Sequence, residues 1–147
     1  MPFKINISDK TGKTYHLESE SEGLVGKELH NKIDGKDISL DLSNYEFEIT
    51  GASDNAGFTL MKDVEGIGLK KVLLSYGKGM HKKPKGDKKK NRKPKGLRLR
   101  KMVRGMIISQ AVSQINLKIL KEGSKKLIEI FPDQNKPKEV KSEEQKK

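Results

Sequence analysis

The chain contains no cysteine and no tryptophan, and only seven of its 147 residues are aromatic. The lack of cysteine excludes disulfides and thiolate zinc sites. The apolar runs are only a few residues long, whereas a membrane-spanning helix needs about 20. The opening residues, MPFKINISDK, contain no apolar stretch of signal-peptide length. We therefore expect a cytoplasmic protein without a membrane partner.

Core-forming residues are also scarce, because only 32% of the chain is hydrophobic while 35% is charged. A chain of 147 residues corresponds to one domain with a modest core. We expect a β domain over residues 1–131. The polar residues 132–147 are expected to form a disordered tail, because they offer almost nothing to bury.

Acidic residues are nearly missing from one part of the chain, residues 78–104, which we call the basic segment. It holds 14 lysines and arginines and one acid, Asp87, so it carries a net charge of +13. The whole chain carries +12, which leaves −1 for the other 120 residues. Positive charge pooled in this way indicates a polyanionic partner.

Three interpretations of the basic segment compete. An amphipathic helix on a membrane is disfavoured, because Pro84 and Pro94 interrupt it and residues 81–96 have no apolar face. A passive solvated loop, or a nuclear import signal, is compatible with the near-repeat of KKPKG at 82–86 and RKPKG at 92–96. Phosphate binding is favoured, because each cation that neutralises a phosphate releases condensed counterions. We expect an extended arm that orders on RNA.

The predicted phosphate-binding residues fall into two groups. In GLRLRKMVRG, 96–105, apolar and basic residues interleave, so we expect a strand to place these arginines while the lysines before them are mobile. The full set is Lys82, Lys83, Lys85, Lys88, Lys89, Lys90, Arg92, Lys93, Lys95, Arg98, Arg100, Lys101 and Arg104.

The hydrophobic pattern predicts a small, mainly β, antiparallel and barrel-like domain with one short helix and a long basic loop. Apolar residues alternate with polar ones in most of the chain, which is typical of strands with one buried face. Predicted strands lie near 3–7, 14–18, 38–42, 45–49 and 70–77. Two more, MVRGMIISQA and INLKILKEG, are expected to pair antiparallel. Apolar residues recur every four positions over 22–32, which predicts the helix. KKLIEIF, 125–131, fits a last strand or a helical turn.

No group of residues has the pattern of a catalytic, metal or cofactor site. His16, His30 and His81 lack metal-ligand spacing. Glu46 and Glu48 share one strand face but are better explained as its wet side. Asp54 in GASDNAG, 51–57, is typical of a turn, because aspartate bonds nearby backbone amides. We expect neither enzymatic activity nor a small-molecule substrate.

Five segments together resemble the S-six-e family of small-subunit ribosomal proteins, in its short archaeal form. They are MPFKINISD at the start, ITGASDNAGF at 49–58, VLLSYGKG at 72–79, GLRLRKMVRGMI at 96–107 and INLKILKEG at 115–123. The family's Gly-Gly-x-Asp loop, followed by Gly, an aromatic residue, Pro and Met, is matched only in part. Gly51, Asp54, Gly57 and Phe58 agree, whereas Ala52, Thr59 and Leu60 depart from it.

The resemblance implies a barrel-like domain that binds small-subunit ribosomal RNA beside other small-subunit ribosomal proteins, without catalysis. The family's basic loop is usually shorter, and the near-repeat suggests that about ten residues were duplicated here. The alternative is a nonribosomal RNA- or DNA-binding protein, such as a chromatin protein or an RNA chaperone.

Overall fold

The computed structural model describes residues 2–82, 96–132, 134 and 135. Its strands are β1 (Phe3–Ser8), β2 (Thr14–Ser19), β3 (Lys32–Asp34), β4 (Glu46–Asp54), β5 (Leu69–Ser75), β6 (Arg98–Arg104) and β7 (Val112–Lys121). A four-residue helix, α1, spans Leu127–Ile130. Short 3₁₀ turns cover Glu22–Leu24, Gly35–Asp37 and Leu40–Leu42. The mainly β prediction is therefore confirmed.

Five strands form one sheet in the order β2-β1-β7-β4-β3. All neighbours are antiparallel except β1 and β7, which are parallel and bring the two ends of the domain together. Strands β5 and β6 form a separate antiparallel pair, the outer hairpin. The two sheets do not close into a barrel, which corrects the barrel-like part of the prediction.

The core lies on one face of the large sheet, where period-two alternation directs the apolar side chains. Ile5 and Ile7 of β1 are fully buried, as is Phe47 of β4. Tyr45 stacks on Phe47 with 5.6 Å between ring centroids, and its hydroxyl donates to the Lys125 carbonyl. Burial raises the pKa of this hydroxyl. The predicted strands near 3–7, 14–18 and 45–49 are thus confirmed.

The predicted helix over 22–32 is wrong. Only Glu22–Leu24 forms a 3₁₀ turn, and Gly26 then takes a positive φ of 85°. The backbone instead bonds to residues 106–108: the Gly26 amide donates to the Ile108 carbonyl at 2.9 Å, and the Ile108 amide donates to the Lys27 carbonyl at 2.9 Å. Pairing with a distant segment has replaced hydrogen bonds within a helix.

Two strand predictions need correction. Residues 38–42 turn rather than extend, because the Ser39 hydroxyl caps the Leu40–Leu42 turn by accepting from the Asp41 amide. The segment MVRGMIISQA does not pair with INLKILKEG; β6 ends at Arg104 and pairs with β5, whereas β7 pairs with β1 and β4. The strand predicted near 70–77 is β5, and KKLIEIF contains the helical turn α1.

Within the described ranges, no helix is long and apolar enough to cross a membrane.

Candidate nucleic-acid interface

The basic segment, residues 78–104, comprises most of the connection between β5 and β6 together with β6 itself. Strand β5 ends where Ser75 pairs with Arg98, the first residue of β6. On the β5 side, a turn at Gly77–Met80 is closed by two backbone hydrogen bonds of 2.9 and 3.1 Å, and Met80 is 1% exposed. On the β6 side, Val103 is fully buried. Both ends of the segment are therefore fixed on the folded domain.

Strand β6 presents its basic residues on two faces. Arg98 and Arg100 are exposed on one face of the outer hairpin, which we call the outer face. There Arg100 lies opposite Leu73 of β5. Lys101 is half-buried on the other face, opposite Val72. The prediction that these arginines lie on a strand is confirmed, because β6 contains them. Its alternation aims two guanidinium groups outward at the base of the basic segment.

Arg104 lies on the same strand but is held by the protein itself. Its Nε and Nη2 donate to Oδ2 of Asp54 at 3.2 and 3.0 Å, and its Nη1 donates to the Ile67 carbonyl at 3.2 Å. The Arg104 side chain is 13% exposed and that of Asp54 is 5% exposed. This forked, buried contact ties β6 to the loop after β4.

Asp54 closes that loop as well as holding Arg104. Its Oδ1 accepts from the backbone amides of Ala56 and Phe58, both at 2.9 Å. The turn-forming role predicted for this aspartate is confirmed. The ion pair with Arg104, 50 residues away, carries no local signal in the sequence.

Eight of the thirteen predicted phosphate-binding residues lie outside the described residues: Lys83, Lys85, Lys88, Lys89, Lys90, Arg92, Lys93 and Lys95. Of the others, Lys82 is exposed at the start of the segment. Lys71 of β5, which the predicted set does not include, is also exposed on the outer face, two residues from Leu73. Its signal was a lysine pair, Lys70 and Lys71, inside an otherwise apolar strand.

The described part of the chain contains no group of three or more histidines and acids that could hold a metal ion. Nδ1 of His30 lies 3.2 Å from Glu48, and the ring of His81 packs edge-on against Tyr76. Glu46 pairs with Lys121 at 3.4 Å on the solvent side of β4. His30, His81, Glu46 and Glu48 therefore each have a partner within the fold.

A family model, Ribosomal protein S6e, matches residues 3–132. The chain is 42% identical over 125 residues to the small ribosomal subunit protein eS6 of Methanococcus maripaludis strain C7, covering 84% of the chain and 91% of that protein. It is 38% identical over 135 residues to the protein of the same name from Archaeoglobus fulgidus, with coverage of 89% and 96%. The one from Thermoplasma acidophilum is 40% identical over 128 residues, with coverage of 85% and 93%.

Proposed function

Because the chain belongs to the family of Ribosomal protein S6e, we propose that it is a structural constituent of the small ribosomal subunit and binds that subunit's RNA through the basic segment. The observation that carries the RNA contact is the charge distribution: +13 lies within 27 residues of an otherwise nearly neutral chain. Its place of action is the cytoplasmic ribosome, and its partners are ribosomal RNA and neighbouring ribosomal proteins.

The geometry supports different roles for the middle of the basic segment and for the arginines of β6. Met80 is buried and Ser75 pairs with Arg98, so the chain leaves and re-enters the outer hairpin at one end of it. Arg98 and Arg100 lie at that end with exposed guanidinium groups, whose forked geometry suits phosphate oxygens. Contacts of this kind position the protein on RNA without reading its sequence.

Arg104 has a different role in this proposal. Its guanidinium already serves Asp54 and the Ile67 carbonyl, so little of its donor capacity faces solvent. It holds β6 in place while Arg98, Arg100 and Lys101 meet the RNA.

Sedimentation tests the ribosomal assignment directly. In a gradient run at physiological salt, the tagged chain is expected in the small-subunit peak. If it stayed out of that peak and bound bulk RNA and DNA alike, the nonribosomal nucleic-acid-binding alternative would replace the proposal.

Neutral variants of two arginines test the RNA contact. The double substitution Arg98→Ser and Arg100→Ser is expected to weaken binding to a small-subunit rRNA transcript by roughly tenfold or more near physiological salt, and to reduce the slope of log K against log salt by about 1.5. The reason is the loss of two phosphate contacts and the counterions they release. Filter binding over a salt series measures both quantities.

The matched control removes two exposed lysines of the large sheet, through Lys4→Ser and Lys118→Ser. Its salt slope should equal that of the unmodified chain. If both double variants reduced the slope equally, net charge rather than the position of Arg98 and Arg100 would determine binding, and the proposed interface would be wrong.

A further inference from the structure

Strand β5 has an open edge. It pairs with β6 on one side, and no strand among the described residues pairs with its other side. Over the seven residues Leu69–Ser75, alternate backbone amides and carbonyls therefore face outward from the sheet. An edge of this length is a template for an additional strand.

The open edge also exposes apolar side chains. Ile67 is 50% exposed, Leu69 41% and Leu73 56%. In the described part of the chain only six large hydrophobic side chains are this exposed, and these three fall within seven consecutive residues. Such clustering is typical of a surface that a partner covers.

Two of the usual devices that block a sheet edge, proline and a β-bulge, are absent from β5, although the strand carries the exposed lysines Lys70 and Lys71. It contains no proline, and its register with β6 runs without a bulge from Leu69 to Ser75. Strand β2 shows the contrast, because the Gln134 side chain bonds both the amide and the carbonyl of His16, and Asn135 donates to the Thr14 carbonyl. Side-chain amides thus cover the edge of β2, whereas the edge of β5 is left open.

The charge beside this edge selects the partner's chemistry. Residues 66–86 contain no acid, and Lys70 and Lys71 place one ammonium on each face of β5. A neighbouring strand would gain from acidic residues opposite these two lysines and from apolar residues opposite Leu69 and Leu73. RNA satisfies the lysines but not the aliphatic side chains, and β5 and β6 hold no aromatic residue on which a base could stack.

We infer that the open edge of β5 receives an extended, acidic and apolar segment of a neighbouring small-subunit protein, added as a third strand to the outer hairpin. This inference rests on the proposed function, since it requires assembly in the small subunit. Main-chain hydrogen bonds would hold the segment, and the side chains around Lys70 and Lys71 would select it.

Site-specific photo-cross-linking in assembled small subunits tests the inference. The full chain carries p-benzoylphenylalanine at Leu73 or, as the control, at Leu40, which is 87% exposed in a 3₁₀ turn. Subunits from the gradient peak are irradiated, and cross-linked residues are identified by mass spectrometry. We expect the probe at Leu73 to join an extended protein segment with acidic residues beside apolar ones. Adding Lys70→Glu and Lys71→Glu should reduce that product about tenfold, because two attractive cross-strand pairs become repulsive.

The other outcomes overturn the inference in distinguishable ways. Cross-links from Leu73 to RNA, or to a second copy of this chain, would assign the edge to a different occupant. A yield no higher than that from Leu40 would mean that the edge stays open in the subunit. In all three cases the chain still sediments with the small subunit, so the proposed function stands. Absence of the chain from the small-subunit peak would contradict both the proposed function and this inference.

Discussion

Replacing Gly105 by alanine is expected to lower the melting temperature of the chain by roughly 10 °C, corresponding to about 3 kcal/mol of lost stability. A Cβ at this position would lie 1.9 Å from the Gly66 carbonyl oxygen and 2.5 Å from its carbon. Both are backbone atoms, so no side-chain rotation can relieve the overlap. The Gly105 amide also donates to the Gly68 carbonyl at 3.1 Å, and the Met106 amide donates to the Val64 carbonyl at 2.8 Å. Separating the two segments would weaken these bonds.

The matched control for this substitution is Gly68→Ala. Gly68 belongs to the same crossing, but a Cβ there meets nothing within 4 Å and its φ is not in the left-handed region. The melting temperature of the Gly68→Ala protein should stay close to that of the unmodified chain, because the change only reduces the conformational entropy of the unfolded state. Thermal unfolding followed by circular dichroism compares the two. Equal melting temperatures would show that the backbone at Gly66 moves away from the new Cβ without any loss of stability.

Strands with one buried face could be predicted because their signal is local. In β1 and in β4 as far as Ile49, every second residue is apolar, and the same residues are buried in the structure. Partner choice is not local. The parallel pairing of Lys4–Ser8 with Gln114–Lys118 joins segments about 110 residues apart, and nothing in either segment identifies the other. The sequence therefore predicted that these strands exist but not how they are ordered.

The false helix over 22–32 shows how spacing can mislead. Of the three residues that carry the four-residue spacing, Leu29 and Ile33 are buried, but Val25 is 40% exposed and its neighbour Leu24 is buried instead. Gly26 and His30, with φ values of 85° and 68°, bend the chain between them. Turns at these two residues and the pairing with residues 106–108 thus bury Leu29 and Ile33 without a helix.

Sequence composition could not show that Arg104 differs from the other arginines of the candidate interface. The sequence predicts the same role for Arg98, Arg100 and Arg104, and β6 does place all three on one face. The difference arises from Asp54, which only the tertiary fold brings within 3.0 Å. Charge counting predicts where a polyanion would bind, but it cannot tell a free cation from one that the protein has already neutralised.

Removing the Arg104 side chain is expected to cost about 3–5 kcal/mol, because it leaves a buried carboxylate without its counter-charge. The variant Arg104→Met keeps most of the apolar length and isolates the loss of the guanidinium. Among the described residues, Asp54 would then retain only the amides of Ala56 and Phe58 as hydrogen-bond donors. Urea unfolding measures the change. The control is Lys121→Met, which breaks the exposed pair with Glu46 and should cost less than about 1 kcal/mol.

RNA binding by the same variant separates a positioning role from direct phosphate contact. If Arg104 serves Asp54, the folded Arg104→Met protein should show the salt slope of the unmodified chain in filter binding, although it unfolds at lower urea. Arg104→Lys sharpens the comparison, because lysine keeps the charge but cannot reproduce the fork that reaches Asp54 and the Ile67 carbonyl together. We expect Arg104→Lys to be destabilised despite its charge. A stable Arg104→Lys protein, combined with a reduced salt slope for Arg104→Met, would instead place Arg104 on the RNA.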